Sequence, residues 1–540
     1  MKLTFCQINI RLGDFDYNSS KIIKEYKKAA VNGTELVVFP ELALTGYPLY
    51  DLVSNPEFIA KIEKYTALII KETKHHNTAI LFGTPAQVEG GIYNIAIFAS
   101  NGKIVGKVGK RHLPNYGIFN ESRNFTSELN QQVLSYKGEK LGILICEDMW
   151  FDDVALAYAK QGATLFIAIN ASPFDTEKHQ TRKIKAANIA KESGLELIYV
   201  NMIGGQDEMV FDGGSFILDA KGEYILKPQC WSEQVISYNT QTRIIDTVTK
   251  NTYSELEHIY QALMCSIRDY VSKNGFKKCV VGLSGGVDSA FVSTIIADSI
   301  GPENLHCVML PTEFTSSESV RDATEFATAI ECEFSTINIT NIYQDFLQLL
   351  QPVFANKAPD ASEENLQARI RGTVLMAISN KTGALLIATS NKSESMMGYT
   401  TLYGDMCGGF SLIKDVYKTT LYELAHWRNN HIPRNSTLPA TRVIPENILT
   451  KEPSAELKHD QKDSDSLPPY TILDQILYAL IEQDLAHDVI ARELGIKLEL
   501  VKDIASKITR TEFKRSQAAI GPKIGTKAFG SERRYPITVA

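Results

Sequence analysis

The sequence predicts an α/β protein of two domains, an α/β sandwich over residues 1–250 and a doubly wound parallel sheet over residues 251–540. Short β-prone runs alternate with helical stretches along the chain, which is typical of mixed α/β layers. Near residue 250 the helices between the strands become longer, as they are in βαβ units. The 540 residues also exceed what one hydrophobic core organises, so more than one domain is expected.

The strands predicted in the first domain are short and mostly apolar. They span residues 36–39, 79–82, 94–99, 141–145, 165–169 and 197–200. Helices are predicted between several of them, at 21–30 and 57–72, and this arrangement favours a layered sandwich. A polar stretch over 237–251 precedes an amphipathic helix over 255–273, and we therefore place the domain boundary near residue 250.

The second domain repeats a pattern of strand followed by helix. The predicted strands are 279–283, 306–310, 335–338 and 384–388, and the predicted helices are 288–299, 317–330 and 362–380. In a doubly wound sheet the ligand crevice lies at the carboxyl ends of the strands, where Ser284, Pro311 and Thr389 fall. Residues 444–469 are rich in Pro, Lys, Asp and Ser and predict a long loop, either an active-site lid or a disordered segment.

A glycine-rich segment joins the first predicted strand of this domain to its first helix. It consists of Gly282, Leu283, Ser284, Gly285, Gly286, Val287, Asp288 and Ser289. Adjacent glycines let the backbone approach an anion closely, and amides at a helix N-terminus bind phosphate. The Gly-Lys-[Ser/Thr] ending of a Walker loop is absent, and the segment resembles the Ser-Gly-Gly-x-Asp-Ser pyrophosphate loop of enzymes that cleave ATP to AMP and pyrophosphate. An ordinary strand-turn-helix corner is the alternative.

Composition narrows the classes of function. The hydrophobic fraction is 44%, the charged fraction 22% and the net charge -7, as in an ordinary globular protein. No Lys/Arg run is sustained, which argues against a nucleic-acid partner. The N-terminus lacks a leader pattern and no window is apolar enough to span a membrane, so neither secretion nor membrane insertion is expected. Eight scattered cysteines favour reduced thiols, and a cytoplasmic location is expected.

Glu41, Lys110 and Cys146 each follow an apolar predicted strand. Strand ends present side chains to a cleft, so the three are expected to meet there. An ammonium beside a thiol lowers the thiol pKa and stabilises an oxyanion, while a carboxylate supplies a general base. Together these groups predict an amidase. Taken singly, a buried cysteine is more often a packing residue and a lone lysine is more often solvated.

The motifs around these three residues resemble those of the nitrilase family. They are Pro40-Glu41-Leu42, Gly109 to Pro114, and Cys146 to Trp150, in that order. The resemblance implies an α-β-β-α sandwich that hydrolyses glutamine, in which Cys146 attacks the carboxamide, Glu41 is the general base and Lys110 holds the oxyanion. Asp148 and Glu121 are interpreted as supporting charges.

Two further blocks lie at the predicted crevice of the second domain. Asn365 and Arg369 stand at i and i+4 on one helical face, which either looks into the crevice or is solvated. Thr389 and Glu394 follow the last predicted strand. Because carboxylates are suitable ligands for Mg²⁺, Asp288 and Glu394 are the predicted metal ligands.

The motifs of the second domain are similar, in sequence order, to those of the glutamine-dependent NAD synthetase family. They are the 282–289 loop, Glu364 to Arg371, Thr389 to Glu394, Tyr403 to Met406, Pro453 to Leu457 and Pro468 to Tyr470. The resemblance implies conversion of deamido-NAD, ATP and glutamine into NAD, AMP, pyrophosphate and glutamate, with Mg²⁺ as cofactor and ATP as co-substrate. A homo-oligomer that acts on small molecules, without nucleic acid or membrane, is expected.

The resemblance also implies which residues contact each substrate. They are Tyr116, Ser172 and Lys178 for glutamine, the 282–289 loop and Thr389 for ATP, and Asn365, Glu394 and Lys514 for deamido-NAD. For Lys514 the alternative is a solvated basic segment.

Three other functions stay open from the sequence. Another amidotransferase with a pyrophosphate loop would keep both half-reactions and change the acceptor. An RNA-binding or tRNA-modifying protein would need a strongly basic face, which the acidic balance does not suggest. In the third, the N-terminal domain is a structural partner and free ammonia is the nitrogen donor.

Overall fold

The computed structural model describes residues 1–88, 90–127, 132–246, 252–355, 357–530 and 532–539. The chain forms two compact units, Met1–Tyr253 and Ser254–Ala540. Each unit has its own sheets and its own apolar core. The predicted α/β class is confirmed.

In the described part of the first unit, two sheets of seven strands each carry the fold. The strands are β1 (Lys2–Gln7), β2 (Leu36–Val38), β3 (Ala79–Val88), β4 (Gly91–Ser100), β5 (Lys103–Gly109), β6 (Leu134–Tyr136), β7 (Glu139–Ile145), β8 (Leu165–Asn170), β9 (Glu196–Asn201), β10 (Ile203–Gln206), β11 (Met209–Leu218), β12 (Tyr224–Cys230), β13 (Gln234–Asn239) and β14 (Ile245–Asp246). One sheet has the order β14-β13-β1-β2-β3-β4-β5, and the other has the order β10-β11-β9-β8-β7-β6 with β12 beside β11.

Helices cover the outer faces of these sheets. They are α1 (Phe15–Val31), α2 (Pro56–Glu72), α3 (Asp152–Lys160) and α4 (Lys178–Ser193). Alternate residues along and just past β2 face opposite layers, because side chains alternate across a strand. Leu36 and Val38 join the core between the sheets, whereas Val37 and Phe39 join the core under α1 and α2. The α-β-β-α sandwich is thus present.

The predicted residues Glu41, Lys110 and Cys146 come shortly after the carboxyl ends of three strands of this unit. β2 ends at Val38, β5 at Gly109 and β7 at Ile145, and a short 3₁₀ helix, Cys146–Trp150, follows β7 directly. The described part of the polar stretch 237–251 pairs into the first sheet through β13 and the edge strand β14.

A five-stranded parallel sheet organises the described part of the second unit, in the order β17-β16-β15-β18-β19. Its strands are β15 (Cys279–Gly282), β16 (Leu305–Met309), β17 (Glu333–Thr336), β18 (Leu385–Ala388) and β19 (Phe410–Ser411). The order reverses between β15 and β18, which is the topological switch point where ligands bind in such sheets.

The helices of this unit include every one that the sequence predicted. They are α5 (Glu255–Lys273), α6 (Val287–Ile300), α7 (Ser317–Ile330), α8 (Thr340–Phe354), α9 (Ala361–Thr382), α10 (Lys392–Met397), α11 (Lys418–Asn430), α12 (Glu446–Thr450), α13 (Tyr470–Ile481), α14 (His487–Leu494), α15 (Leu498–Arg510) and α16 (Glu512–Arg515). Residues 444–469, expected to be a loop throughout, contain α12 and a 3₁₀ turn at Asp463–Asp465.

The C-terminal helices form a second apolar cluster in this unit. Leu473 and Ile476 of α13, Ile490 of α14 and Ile504 of α15 pack against Met396 of α10. None of the helices in the described ranges is both long enough and apolar enough to cross a bilayer.

Candidate active sites

A buried ion cluster lies at the strand ends of the first unit. The Lys110 ammonium, 1% exposed, contacts Glu41 Oε1 at 2.8 Å and Glu121 Oε1 at 2.7 Å. Both carboxylates raise the pKa of Lys110 well above its usual range, against the opposing effect of burial. Glu121 also accepts a hydrogen bond from the Tyr47 hydroxyl at 2.9 Å. The ammonium is therefore held charged and fixed.

Glu41 is oriented by groups on two other elements. Its Oε1 accepts from Asn94 Nδ2 at 2.7 Å and its Oε2 accepts from the Ala171 amide at 2.8 Å. These bonds fix both carboxylate oxygens against β4 and the segment after β8. Glu41 and Lys110, predicted to meet, are in direct contact.

Cys146 follows β7 in the left-handed region, with φ of 47°. A non-glycine residue in this conformation is uncommon and is often held at a functional turn. The thiol is buried, and burial together with the Glu41, Glu147 and Glu121 carboxylates raises its pKa well above the ordinary value. Lys110 lowers the pKa but does not prevail. The ammonium therefore acts in the predicted direction, while burial and the nearby carboxylates outweigh it.

Asp148 and Glu121, both interpreted as supporting charges, have different positions. Asp148 Oδ1 accepts from the Arg111 and His112 amides and its Oδ2 accepts from the Ile145 amide. It thus braces the turn at Cys146 against the segment after Lys110. Glu121 lies in the ion cluster itself, where burial raises its pKa to about 7 although Lys110 lowers it.

Two of the three residues assigned to glutamine, Tyr116 and Lys178, contact the Cys146–Trp150 turn. The Tyr116 hydroxyl donates to both oxygens of Glu147, at 3.1 and 3.0 Å. Lys178, at the start of α4, lies 4.6 Å from the centre of the Trp150 ring and lowers the pKa of Glu147 against the larger effect of burial. Glu147 was not singled out in the sequence, although its position beside Cys146 was a signal.

Ser172 is fixed by a buried arginine that sequence analysis missed. Arg182 Nε donates to Ser172 Oγ at 3.1 Å and its Nη2 donates to the Ser172 carbonyl at 2.7 Å. The same guanidinium binds both oxygens of Asp212, at 2.8 and 2.9 Å. Single arginines in polar helices carry no sequence signal for such a role, since only the fold brings Asp212 beside α4.

In the second unit the 282–289 loop has the geometry of an anion cradle. Gly285 has φ of 81°, and a Cβ there would lie 2.4 Å from the Ser319 carbonyl oxygen. Ser284 Oγ accepts from the Gly286 amide at 3.2 Å and lies 3.1 Å from Ser289 Oγ. Gly286 then caps α6, whose N-terminal dipole favours negative charge.

Asp288 and Glu394, the predicted metal ligands, converge on one lysine. Lys418 Nζ lies 2.5 Å from Asp288 Oδ2 and 3.1 Å from Glu394 Oε1. Asn391 Nδ2 donates to the other oxygen of Asp288 at 2.8 Å. Lys418 was missed in the sequence, because it belongs to an ordinary helix start with no motif character of its own.

The donor set at this point fits a divalent cation. Burial raises the pKa of Glu394 to about 8, with further contributions from Asp288 and Asp463 against the opposing charge of Lys418. Among the described residues, two carboxylates thus meet at the Lys418 ammonium, and Asp463 lies close enough to act on Glu394. Hard carboxylate oxygens are suitable ligands for Mg²⁺.

The residues assigned to deamido-NAD meet around one turn after α10. Thr401 Oγ1 donates to Asn365 Oδ1 at 2.7 Å, and Lys514 Nζ donates to the Gly398 and Thr400 carbonyls at 2.8 and 2.7 Å. Glu394 accepts the Tyr399 amide at its own carbonyl, 2.9 Å away. Burial lowers the pKa of Lys514, so this lysine is not a freely solvated residue. Thr389 is half-buried directly after β18.

Comparison with known proteins assigns the two units to two families. A carbon-nitrogen hydrolase family model matches residues 2–247 and an NAD synthase model matches residues 259–518. The glutamine-dependent NAD(+) synthetase of Acinetobacter baylyi is 42% identical and the match covers 99% of this chain and 98% of that protein. That of Thermotoga maritima is 40% identical over 100% of this chain and 98% of its own.

Solved structures agree with these relatives. The glutamine-dependent NAD+ synthetase of Acinetobacter baumannii, determined in complex with ADP, has a TM-score of 0.78 and 39% identity, with 99% of this chain and 98% of that chain covered. The enzyme of Cytophaga hutchinsonii has a TM-score of 0.83 at 21% identity, covering 100% and 98%, and shows the shared fold. The resemblance seen in the sequence motifs is confirmed, and the chain belongs to the glutamine-dependent NAD(+) synthetase family, a family of ligases.

Proposed function

We propose that this chain hydrolyses glutamine at Cys146 and uses the ammonia to convert deamido-NAD, adenylated by ATP, into NAD. The observation that carries the proposal is the presence on one chain of two sites with matched chemistry. One holds a thiol, a carboxylate and a buried ammonium. The other holds a phosphate cradle beside two converging carboxylates.

In the first site, Glu41 takes the proton of the Cys146 thiol as the sulfur attacks the carboxamide carbon of glutamine. An ammonium donates three hydrogen bonds, and Lys110 has two carboxylate acceptors, so one N–H is left for the developing oxyanion. Collapse of the tetrahedral adduct breaks the C–N bond, and Glu41 returns the proton to the departing nitrogen. Water then cleaves the thioester to release glutamate.

Glutamine is positioned by the residues around that turn. Tyr116, Ser172 and Lys178 are the proposed contacts, as the family resemblance implies. The Glu147 carboxylate, beside Tyr116 and Lys178, adds a site for an ammonium group such as the substrate's α-amino group. Arg182 and Asp212 keep the Ser172 segment in place.

In the second site, an oxygen of the nicotinate carboxylate attacks the α-phosphorus of ATP and pyrophosphate leaves. The 282–289 loop and Thr389 bind ATP, and Asn365, Glu394 and Lys514 bind deamido-NAD. Ammonia attacks the acyl carbon of the adenylate, and AMP departs with one carboxylate oxygen. Lys418 provides a fixed positive charge where the carboxylates meet.

Asp288 and Glu394 are the proposed ligands of Mg²⁺, which supplies charge neutralisation to phosphate oxygens when bound. Chelation with EDTA should abolish pyrophosphate release while leaving glutamine hydrolysis intact. Survival of pyrophosphate release in rigorously chelated enzyme would argue against the metal assignment.

We place the enzyme in the cytoplasm as a homo-oligomer. Cell fractionation tests the location, and sedimentation tests the oligomeric state.

The direct test of the reaction is isotopic. With oxygen-18 in the nicotinate carboxylate of deamido-NAD, one labelled oxygen should appear in AMP, and AMP and pyrophosphate should form in step with NAD. Production of ADP, or label in free phosphate, would rule out adenylation. Turnover of another carboxylate or carbonyl acceptor in preference to deamido-NAD would instead identify a different amidotransferase.

A further inference from the structure

Arg371 lies in the middle of α9, where none of the described acidic side chains forms an ion pair with it. Its Nε donates to the Leu310 carbonyl at 3.0 Å. It forms no ion pair with any of the residues that the structure describes. The side chain is half-buried, and loss of solvent lowers its pKa to about 10, with Glu456 acting in the opposite direction. A charged group that loses part of its water gains from a partner of opposite charge.

The position of Arg371 along α9 places it at the end of β15 from which the phosphate loop begins. Leu375, one helical turn further along α9, lies against Gly282, because a Cβ on that glycine would be 2.9 Å from Leu375 Cδ1. Gly282 is the last residue of β15. α9 runs antiparallel to the strand that follows it, so one turn back along the helix from Leu375 leads past the carboxyl end of the strand. Helical side chains also lean toward the N-terminus, so we infer that Arg371 points beyond Gly282, toward the loop.

The Leu310 contact gives the same location independently. β16 neighbours β15 in parallel register, with Gly282 opposite Val308, and Leu310 comes just after β16 ends. The guanidinium is thus anchored by Nε at the carboxyl edge of the sheet. Its two terminal nitrogens are left for another acceptor.

Glu456 does not fill that role. Its carboxylate accepts the hydroxyls of Ser316 and Ser319, both at 2.8 Å, and no Arg371 bond to it is present within the described segments. The negative charge of Glu456 acts on Arg371 from a distance, whereas its oxygens accept hydrogen bonds from residues at the start of α7. The terminal guanidinium nitrogens are therefore available to an added group, and the site beside a glycine-rich loop and a helix N-terminus is suited to an anion.

We propose that Arg371 binds the phosphate chain of ATP in the crevice of the second unit. This inference rests on the proposed function, which places ATP at the 282–289 loop. A planar guanidinium presents two parallel N–H groups to phosphate oxygens, which an ammonium cannot reproduce. Arg371 thus faces the nucleotide from α9, opposite to the amides of the loop.

The test is equilibrium binding of ATP and of adenosine, each with Mg²⁺, measured by calorimetry on the full chain. Arg371→Met keeps most of the apolar stem and removes the charge, and Arg371→Lys keeps the charge without the fork. Both variants should weaken ATP binding, by about 10- to 100-fold for Arg371→Met and by less for Arg371→Lys. Adenosine lacks the phosphates, so its binding should be unchanged in both. Arg321→Ala is the matched control, because this α7 arginine is 60% exposed and pairs only weakly with Glu318, 3.9 Å away.

Thermal melting separates this role from a structural one. Removing a half-buried cation that forms no ion pair among the described residues should leave the melting temperature of the ligand-free Arg371→Met protein at or above that of wild type, while the rise produced by ATP is lost. A lower melting temperature with an unchanged ATP-induced rise would assign Arg371 to the fold and overturn the inference.

The remaining outcomes distinguish the inference from the function on which it rests. Wild-type affinity for ATP in Arg371→Met overturns the inference alone. Weaker binding of deamido-NAD with ATP binding intact also overturns it, because the guanidinium would then serve the other substrate. Failure of the wild-type chain itself to bind ATP overturns the proposed function.

Discussion

At the scale of single residues, the ion cluster around Lys110 makes the effect of replacing that lysine hard to interpret. Lys110 is held by two buried carboxylates, so replacing it would leave uncompensated charge and cost roughly 3–5 kcal/mol of folding free energy. A variant of Lys110 therefore confounds catalysis with stability. Replacing Cys146 leaves no buried charge without its partner, so a Cys146 variant tests catalysis more directly.

Cys146→Ala should abolish NAD formation with glutamine and leave the rate with ammonium salts within about twofold of wild type, because only the nucleophile of the first site is lost. Initial rates with each nitrogen donor measure this. Glu63→Ala, at an exposed position of α2, serves as the control and should match wild type with both donors. Equal loss with both donors in a folded Cys146→Ala protein would contradict the two-site scheme.

The protonation state of Cys146 gives a second residue-scale prediction. Because burial and nearby carboxylates raise the pKa of the thiol well above its ordinary value, alkylation by iodoacetamide without glutamine should be slow at pH 7 and still accelerate above pH 9. Mass spectrometry of the Cys146 peptide follows the rate and separates it from the other cysteines. A rate that is already constant below pH 7 would show that the resting group is a thiolate.

At the scale of elements, the β15–α6 connection depends on one backbone position. Gly285 combines φ of 81° with a neighbour, the Ser319 carbonyl oxygen, 2.4 Å from where a Cβ would be. Backbone atoms of α7 cannot move aside as a flexible side chain can, so a larger residue must displace the loop. The cradle is therefore as much a product of α7 as of the glycine motif.

Gly285→Ala should lower NAD synthesis with either nitrogen donor by about 10- to 100-fold, as expected when phosphate hydrogen bonds are lost, while glutamine hydrolysis continues. Gly275→Ala is the matched control, since Gly275 has φ of 78° and no heavy atom within 4 Å of a Cβ. It carries the same backbone strain, about 1–2 kcal/mol, without the clash. Equal activity of the two variants would mean that the close approach to Ser319 has no role in the cradle.

At the scale of the whole molecule, the two units have separate cores. The sandwich buries residues between and outside its two sheets, and the second unit buries its own around the parallel sheet and the C-terminal helices. Ser254 caps α5 by accepting the Glu257 amide at 3.2 Å, so the second unit begins with a complete helix start. Separate cores are what independent folding requires.

A fragment comprising residues 254–540 should fold and make NAD from ammonium salts, and it should show no activity with glutamine. Circular dichroism checks folding and initial rates check activity, with the full chain measured alongside. A folded fragment that is inactive with ammonium would show that the synthetase site requires the first unit.

Much of this organisation could be predicted from the sequence. Apolar runs and helical periodicity located β7, β15 and α7, because local propensity and burial act on neighbouring residues. The glycine loop was recognisable because its chemistry is contiguous, and Glu41, Lys110 and Cys146 were recognisable because each ends a strand. Helix α12 was missed since a short helix in a Pro-rich stretch has little periodicity to detect.

The sequence by itself determined the α/β class, the two sets of motifs and the residues that follow each strand, since these depend on order along the chain. Only the tertiary structure decided which charged groups lie beside those residues and how far they are buried. It placed Lys418 between Asp288 and Glu394 and left Arg371 without an ion pair among the described residues. It also surrounds Cys146 with carboxylates that, together with burial, raise the pKa of its thiol. The physical reason is that pairing and desolvation depend on distances between segments far apart in sequence, which local patterns do not encode.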